Sequence, residues 1–368
     1  MNRRSGFVCL CASLWIGVEL LAGCASYAQA SDPPFRYAQP GYQWSFPKDH
    51  GPHDGFQTEW WYYTGHLWAE GKEPFRDPPL YGFQLTFFRR QEEPLKPAST
   101  EFLAHAALTD LSTGETRFAT RKGGALLGAA GASRQTLEVW SGDWLAEVIG
   151  DTHVLRFSPG KGEGADVRLL GVAGGAPWLQ GDAGFSKKGA CKECASHYYS
   201  LARIPFKGEI RGDSTITSVS GLGWMDHEFM SNTLAPDQVG WDWMGLMLKD
   251  GRSLTVFRLR KADGSASFVS ASLLADGKVE SLLGDLVTLT ATREWISPSS
   301  KGRYPLSWRI EIPSRGLDLS VNARVSSCEI GEGNTDLEPR YWEGPVASQD
   351  ESVIGYLEMT GYAGRVKL

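Results

Sequence analysis

The stretch GWDWMGLMLKDGRSLTVFRLR, residues 240–260, indicates the fold class of this 368-residue chain. Apolar side chains recur at every second position along much of it, which is the period of a β-strand with one buried face. Asp250-Gly251 interrupts the pattern, and this dipeptide is a strong signal for a two-residue turn between antiparallel strands. The stretch therefore predicts a β-hairpin.

The turn also predicts a register for this hairpin. If the dipeptide alone forms the loop, Trp243 lies opposite Arg258 and Trp241 lies opposite Arg260, as a cation–π ladder on one face. Asp242 then points to the other face, among apolar side chains. A carboxylate there is costly unless it is paired or protonated, so Asp242 is a candidate functional acid. The alternative is an exposed acid at a β-bulge or a strand end.

An internal repeat predicts that the β-fold is duplicated. LTFFR at 85–89 returns as LTVFR at 254–258, which is 169 residues later and half the length of residues 31–368. Each copy follows an aromatic strand that contains a glycine, WWYYTGHL at 60–67 and WDWMGLML at 241–248. We predict an all-β chain of two similar antiparallel domains, with closed barrels or sandwiches protecting the strand edges.

The first 30 residues are predicted to be a signal peptide. A basic start and an apolar run lead to Leu-Ala-Gly-Cys at 21–24, which resembles a bacterial lipoprotein signal with lipidation of Cys24. Ala-Gln-Ala at 28–30 is a rival cleavage site for ordinary secretion. The first site predicts a periplasmic or outer-membrane lipoprotein that contacts the membrane only through its lipid anchor. The second predicts a secreted protein.

Composition and missing motifs exclude several functions. The formal net charge is −6 and no stretch is strongly basic, which argues against nucleic-acid binding. The sequence lacks the G-x-S-x-G turn of α/β-hydrolases, the H-E-x-x-H helix of metalloproteases and a glycine-rich phosphate loop. Neither serine-hydrolase nor metalloprotease chemistry is therefore expected.

Cys191 and Cys194 form a C-x-x-C pair with His197 three residues later. Oxidising conditions outside the cytoplasm favour a small disulfide, whereas the spacing also fits one corner of a metal site. A structural zinc site needs a fourth ligand and usually a second ligand pair. We therefore favour the disulfide and predict neither a metal nor a cofactor.

Eight segments resemble one bacterial family, the AttH-like proteins and carotenoid 1,2-hydratases (hydroxyneurosporene synthases), whose members are often described as secreted hydrolases. They follow in order along nearly the whole mature chain: HDGFQTEWWYYTGHL (53–67), YGFQLTFFR (81–89), AHAALTD (104–110), HYYSLAR (197–203), GLGWMDHE (221–228), residues 240–260, and RYWEG with GYLEMTGY (340–344 and 355–362).

The resemblance implies two tandem lipocalin-like β-barrel domains, which we place at residues 31–212 and 213–368. It also implies cofactor-free chemistry of the hydro-lyase type, because carotenoid hydratases add water across an isoprenoid double bond. Related fungal proteins catalyse cycloadditions of polyketides. The expected partner is therefore a lipophilic small molecule of the isoprenoid, polyketide or lipid class.

Alkene hydration needs an acid, a dry pocket, aromatic walls and a positioned water. The candidate catalytic residues are Asp226, His227, Asp242 and Glu59. The candidate ligand-binding residues are Trp60, Trp61, Tyr62, Trp224, Trp241 and Trp243. In an extended segment Asp226 and Glu228 share one side and His227 takes the other.

Each candidate also has a structural interpretation. Glu59 could be a buried acid paired with an arginine such as Arg89 or Arg258, and most of the tryptophans could belong to the core. Convergence of Asp226, His227 and Asp242 in an apolar cavity favours an enzyme. Scattered acids beside an open barrel favour a non-catalytic lipocalin-like carrier, and two filled barrels favour a structural module. The sequence does not predict an oligomeric state.

Overall fold

The structure of the protein is a computed structural model that describes residues 35–94, 99–125, 128–160, 165–212, 214–231, 234–333 and 340–366. The predicted signal peptide, with Cys24, lies outside the described residues. The described part of the chain contains no α-helix, and its three short 3-10 turns are Lys48–His50, Gly284–Leu286 and Pro313–Arg315. No helix there is long and apolar enough to cross a bilayer. The predicted all-β fold is confirmed.

The first sheet is antiparallel and curls into a near-barrel. Its strands are β1 (Thr58–Ala69), β2 (Tyr81–Gln91), β3 (Thr100–Asp110), β4 (Thr116–Gly124), β5 (Ala130–Ala132), β6 (Glu138–Ser141), β7 (Trp144–Ile149), β8 (Thr152–Phe157), β9 (Asp166–Val172), β10 (Trp178–Leu179), β11 (Phe185–Lys187), β12 (Ala195–Arg211) and β13 (Ile216–Met230). β13 lies between β1 and β12, so the first sheet extends to Met230, beyond the predicted division at residue 212.

The second sheet is also antiparallel and forms a half-barrel. Its strands are β14 (Gln238–Leu248), β15 (Ser253–Lys261), β16 (Ala266–Ala275), β17 (Lys278–Leu283), β18 (Thr288–Ile296), β19 (Arg303–Ile312), β20 (Leu317–Ala323), β21 (Glu329–Ile330), β22 (Tyr341–Ala347) and β23 (Val353–Met359). Its edge strands, β17 and β18, do not pair with each other.

The two sheets follow the same path, as the sequence repeat predicts. Each begins with a four-strand meander, β1 to β4 in one and β14 to β17 in the other. In each sheet the last strand, β13 or β23, returns to pair with the first. The two copies of the repeat occupy β2 and β15, the second strand of each sheet. Strand order therefore agrees with duplication of one β-unit.

The predicted register of the β14–β15 hairpin is wrong by one residue. The loop has three residues, 249–251, and Leu248 N–H donates to Arg252 O across it at 2.9 Å. Gly251 takes a positive φ of 99°, as three-residue hairpin loops with a bulge require. Asp242 consequently pairs with Arg258, and Trp243 pairs with Phe257, so no Trp/Arg ladder forms.

Strand alternation divides the buried side chains into three clusters. One fills the first barrel, including Trp61 and Tyr63 from β1, and a second fills the half-barrel. The third lies between the sheets and contains Tyr62, Trp224 and Trp243. Side chains alternate between the two faces of each strand, and in several strands both faces are apolar. One face of these strands packs in the core of its own sheet, and the other packs against the opposite sheet.

Candidate functional site

A cavity of about 90 Å³ lies between the two sheets. Its walls come mainly from β1, β2, β12 and β13 on one side and from β14, β15, β22 and β23 on the other. Most of the lining is aromatic or aliphatic: Trp60, Tyr62, Phe88, Tyr198, Trp241, Trp243, Phe257, Leu259 and Tyr341 are among its residues. It is a largely apolar site with few polar groups, as ligand pockets usually are.

Among the described residues, four carboxyl groups line this cavity: Asp226, Glu228, Glu343 and Glu358. Asp226 and Glu228 are two residues apart on β13, so alternation points both to the same side. Glu343 on β22 is the direct cross-strand partner of Glu358 on β23, so these two also share a face. Each sheet therefore contributes one pair of acids.

Asp226 is held by three donors. Tyr198 Oη and Trp224 Nε1 donate to its carboxylate at 2.7 and 2.6 Å, and Ser200 Oγ is a third donor. Burial nevertheless raises the pKa of Asp226 to about 7, because loss of hydration outweighs the hydrogen bonds that favour the ionised form. Its carboxyl can accept or release a proton near neutral pH.

Glu343 has a different environment. It is 2% exposed, and neither carboxyl oxygen has a hydrogen-bond partner among the described residues. Burial, reinforced by the charge of Glu358 opposite, raises the pKa of Glu343 well above its usual range. Tyr62 and Tyr341 lie beside it and oppose the rise, but neither hydroxyl reaches it with hydrogen-bond geometry. Burial and the neighbouring charge therefore both favour the protonated form of this carboxyl.

Glu358 and Glu228 complete the set. Trp241 Nε1 donates to Glu358 at 2.8 Å, and burial raises the pKa of Glu358 to about 7, with help from the charges of Asp226 and Glu228. Glu228 accepts from Ser196 Oγ at 2.5 Å and pairs with Lys188 Nζ at 2.7 Å. Glu228 is thus paired with a cation, whereas the pKa values of Asp226, Glu343 and Glu358 are all raised.

A second polar cluster lies on the opposite face of β13. His53 Nδ1 and His227 Nε2 lie 2.7 and 2.8 Å from the same oxygen of Glu59. The other oxygen of Glu59 faces Arg89 Nη1 at 3.2 Å, which is the pairing that the sequence suggested. Trp61 stacks on His227 with a centroid distance of 4.8 Å. Glu59 and His227, predicted as catalytic, therefore do not reach the cavity.

This cluster separates charge between its members. Burial alone would raise the pKa of Glu59, but the charge of His53 and hydrogen bonds from both histidines lower it below its usual range. The same carboxylate raises the pKa of His53 against the effect of burial. Burial lowers the pKa of His227. The cluster is thus a buried ion pair with a neutral second imidazole.

Asp242 occupies a third environment, on the half-barrel side of β14. Arg258 Nε and Arg260 Nε lie 2.5 and 3.1 Å from its Oδ2, and Tyr362 Oη donates to Oδ1 at 2.9 Å. Asp226, His227 and Asp242 therefore do not converge. The Asp242 cluster stabilises the second sheet and does not line the cavity.

The six predicted ligand-binding aromatics also separate. Trp60, Tyr62, Trp241 and Trp243 line the cavity. Trp224 lies behind it and binds Asp226, whereas Trp61 points into the first barrel. Sequence analysis missed Glu343 and Glu358, although each is a lone acid in an apolar run, YWEGPVA and VIGYLEM. A carboxylate on an apolar strand face is costly unless it is paired or protonated, and this reason, which selected Asp242, applies to both residues.

Cys191 and Cys194 form a disulfide, as favoured from the sequence. The bridged loop leads back to the cavity, because Lys188 N–H donates to Cys194 O at 2.8 Å. The same Lys188 extends its ammonium group to Glu228. The disulfide loop therefore supports the single lysine among the cavity-lining residues.

Residues 37–362 match the AttH-like protein family. A Nitrosomonas europaea protein assigned as AttH has a solved structure with 29% sequence identity and a TM-score of 0.78, covering 89% of this chain and all of that one. Kievitone hydratase from Nectria haematococca is 15% identical with a TM-score of 0.62, covering 90% and 97% of the two chains. CghA is 16% identical with a TM-score of 0.51, covering 84% and 90%. No curated protein sequence matches the chain.

Proposed function

The chain belongs to the AttH-like family, and from this membership and the cavity between its sheets we propose a hydratase-like enzyme that adds water to a carbon–carbon double bond. The observation that carries the proposal is Glu343, a buried carboxyl group at the cavity without a hydrogen-bond partner among the described residues. A proton donor in an apolar, aromatic cavity is what protonation of an alkene requires.

The reaction uses one acid of the cavity as proton donor and another as proton acceptor. Glu343 gives its proton to one alkene carbon, and the π electrons form the new C–H bond. Positive charge then develops on the other carbon, where the faces of Trp60, Trp241 and Trp243 stabilise it. A water molecule attacks this carbon and loses one proton to Asp226 or Glu358. Proton transfer among the carboxyl groups restores Glu343 without a redox change.

Tyr62 and Tyr341 assist the first step. Neither makes a formed hydrogen bond to Glu343 while the carboxyl is neutral, yet both lie beside it. As Glu343 loses its proton, small movements of the two hydroxyls can provide donors to the new anion. Stabilisation that increases as charge develops lowers the barrier more than it strengthens ground-state binding.

The cavity volume bears on the substrate. About 90 Å³ is well below the several hundred Å³ of a pocket that encloses a whole drug-sized ligand. We propose that the cavity receives the unsaturated end of a lipophilic isoprenoid, polyketide or lipid. The name of the structurally similar kievitone hydratase is consistent with water addition. The N-terminal sequence supports placing the activity in the bacterial cell envelope.

The test combines ligand discovery with isotope labelling. Lipophilic compounds that co-purify with the mature chain are identified by mass spectrometry, then incubated with the protein in heavy-oxygen water. We expect a product that gains one labelled water. Glu343→Gln should retain binding and lose turnover by roughly 10²–10⁴-fold, the usual contribution of general acid catalysis.

Glu329→Gln is the matched control. Glu329 lies on β21 of the second sheet and accepts hydrogen bonds from Ser297, Ser299 and Tyr304, but it is not among the residues that line the cavity. Its variant should keep the activity. A ligand that binds and is recovered without label would reject hydration and support the carrier function.

A further inference from the structure

We propose that His53, Glu59 and His227 form a binding site for a divalent transition-metal ion such as Zn²⁺. One ligand atom from each residue lies within 4.8 Å of the other two. These atoms are His53 Nδ1, Glu59 Oε1 and His227 Nε2. The site lies on the barrel side of β13, opposite the Asp226 cavity, so it is separate from the proposed hydratase site.

The ligand types suit this class of ion. Two imidazole nitrogens and one carboxylate oxygen form a set that binds Zn²⁺ in catalytic sites, with a fourth position left for water. Binding of the ion displaces the proton that His53 shares with Glu59. Carboxylate and carbonyl oxygens alone would instead favour Mg²⁺ or Ca²⁺. The donor set therefore selects a transition metal over the harder alkaline-earth ions.

The outer contacts of all three residues support ligation. Metal-binding histidines usually donate their second ring N–H to a carboxylate, a carbonyl or water. His53 Nε2 faces Asp49 Oδ1 at 3.5 Å, and His227 Nδ1 lies 3.1 Å from Tyr199 Oη. Glu59 Oε2 accepts from His53 N at 3.0 Å. The second atom of each ligand is therefore already occupied, while the three inward atoms face one another.

Packing fixes the two imidazole rings. Phe229 stacks on His53 with a centroid distance of 3.6 Å and an interplanar angle of 9°. Trp61 stacks on His227 from the other side of the cluster. Glu59 and His227 lie on the paired strands β1 and β13, and rigid strands hold ligands at a defined spacing. Preorganised ligands lose little conformational entropy when an ion binds.

Access to the site is through His53. Its side chain is 10% exposed, whereas those of Glu59 and His227 are fully buried. His53 lies in the segment before β1, so it can move more easily than the two strand residues. Ligands around a tetrahedral ion stand roughly 3.3 Å apart, so the pairs at 2.7 and 2.8 Å must spread slightly. A small displacement of His53 supplies this space.

A structural hydrogen-bond network is the competing interpretation, and metal titration separates the two. The tag-free, chelator-treated full mature chain is titrated with Zn²⁺ by calorimetry and with Co²⁺ by visible absorption. We expect one ion per chain, a Co²⁺ spectrum typical of four-coordinate nitrogen and oxygen ligation, and a higher Tm in the presence of Zn²⁺.

Variants test the ligands and the outer contact. His53→Gln and His227→Gln should weaken Zn²⁺ binding by about 100-fold or more, and Asp49→Asn by roughly 10- to 100-fold, as for other outer contacts. His153→Gln is the control, because His153 is buried in the same barrel and contacts Tyr63 Oη at 2.9 Å, away from the cluster. It should bind Zn²⁺ like the parent chain.

Two results would overturn the proposal. One is the absence of stoichiometric Zn²⁺ and Co²⁺ binding by the parent chain. The other is binding by His53→Gln and His227→Gln that equals that of the parent chain. If His227→Gln does not fold, His53→Gln still tests the proposal. The side chain of His53 is nearer the surface than that of His227, so its replacement should disturb the fold less. Circular dichroism of each metal-free variant verifies the fold before titration.

Discussion

At the scale of single residues, the same degree of burial gives the carboxyl groups different chemistry. Asp242 is 1% exposed and is neutralised by two guanidinium groups. Glu343 is 2% exposed and makes neither an ion pair nor a formed hydrogen bond among the described residues. A buried acid is thus ionised or protonated according to its partners. Only the second kind can supply a proton to an apolar substrate.

The raised pKa of Glu358 predicts a pH-dependent stability. Its pKa rises from 4.5 when unfolded to about 7 in the fold. The neutral form therefore favours folding below pH 4.5, and this contribution is lost as the pH rises through 7. The change is on the order of 3 kcal/mol over this window.

Glu358→Gln removes this titration and keeps an acceptor for Trp241. The unfolding free energy of the parent chain, measured by denaturant titration, should fall relative to that of the variant as the pH rises from 4.5 to 7. Differencing against the variant removes the opposing contribution of the buried histidines, whose lowered pKa values destabilise the fold in acid. If the unfolding free energies of the two proteins change in parallel with pH, the pKa of Glu358 is not raised in the fold, and the prediction is wrong.

Asp242 should act on stability and not on chemistry. Asp242→Asn leaves the buried Arg260 and the half-buried Arg258 without their carboxylate, and breaking a buried pair costs about 3–5 kcal/mol. We expect that loss in the unfolding free energy, with label incorporation per folded molecule unchanged. Asp318→Asn, which breaks an exposed pair with Arg309, is the control and should change little. Loss of turnover without loss of stability in Asp242→Asn would return Asp242 to the catalytic candidates.

At the scale of elements, strand alternation decides which side chains of a strand face the cavity and which face the first barrel. β13 presents Asp226 and Glu228 to the cavity and His227 to the first barrel, because successive side chains point to opposite faces. β1 does the same with Tyr62 and Glu59. Two adjacent strands therefore build two unrelated polar sites on their two faces.

Close approach of the sheets depends on Gly82 in β2. A Cβ atom there would lie 2.7 Å from Cγ of Pro345 in β22. Gly82→Ala should therefore push the sheets apart and cost about 1–3 kcal/mol of unfolding free energy, the usual effect of overpacking. Gly124→Ala is the control, because a Cβ at that strand end meets nothing within 4 Å. Equal stability of the two variants would contradict the close contact.

At the scale of the whole molecule, the repeat places two similar meanders face to face. Each fills its own interior, as the two apolar clusters inside the sheets show. The cavity with its four acids forms between them. A duplicated sheet alone would offer an apolar outer face, and the second copy converts part of that face into an enclosed site.

The sequence by itself determined the all-β class, the duplication, the family resemblance and the opposite directions of Asp226 and His227, because strand period and repeats are local properties. It also indicated the Glu59–Arg89 pairing and four of the aromatic residues at the cavity.

Only the tertiary structure decided which acids meet. Glu343 and Glu358 lie more than 100 residues from Asp226, and His53 lies far along the chain from His227. One extra loop residue at 249–251 placed Asp242 opposite Arg258. The physical reason is that pairing register and sheet packing depend on long-range contacts, and a shift of one residue changes every cross-strand partner.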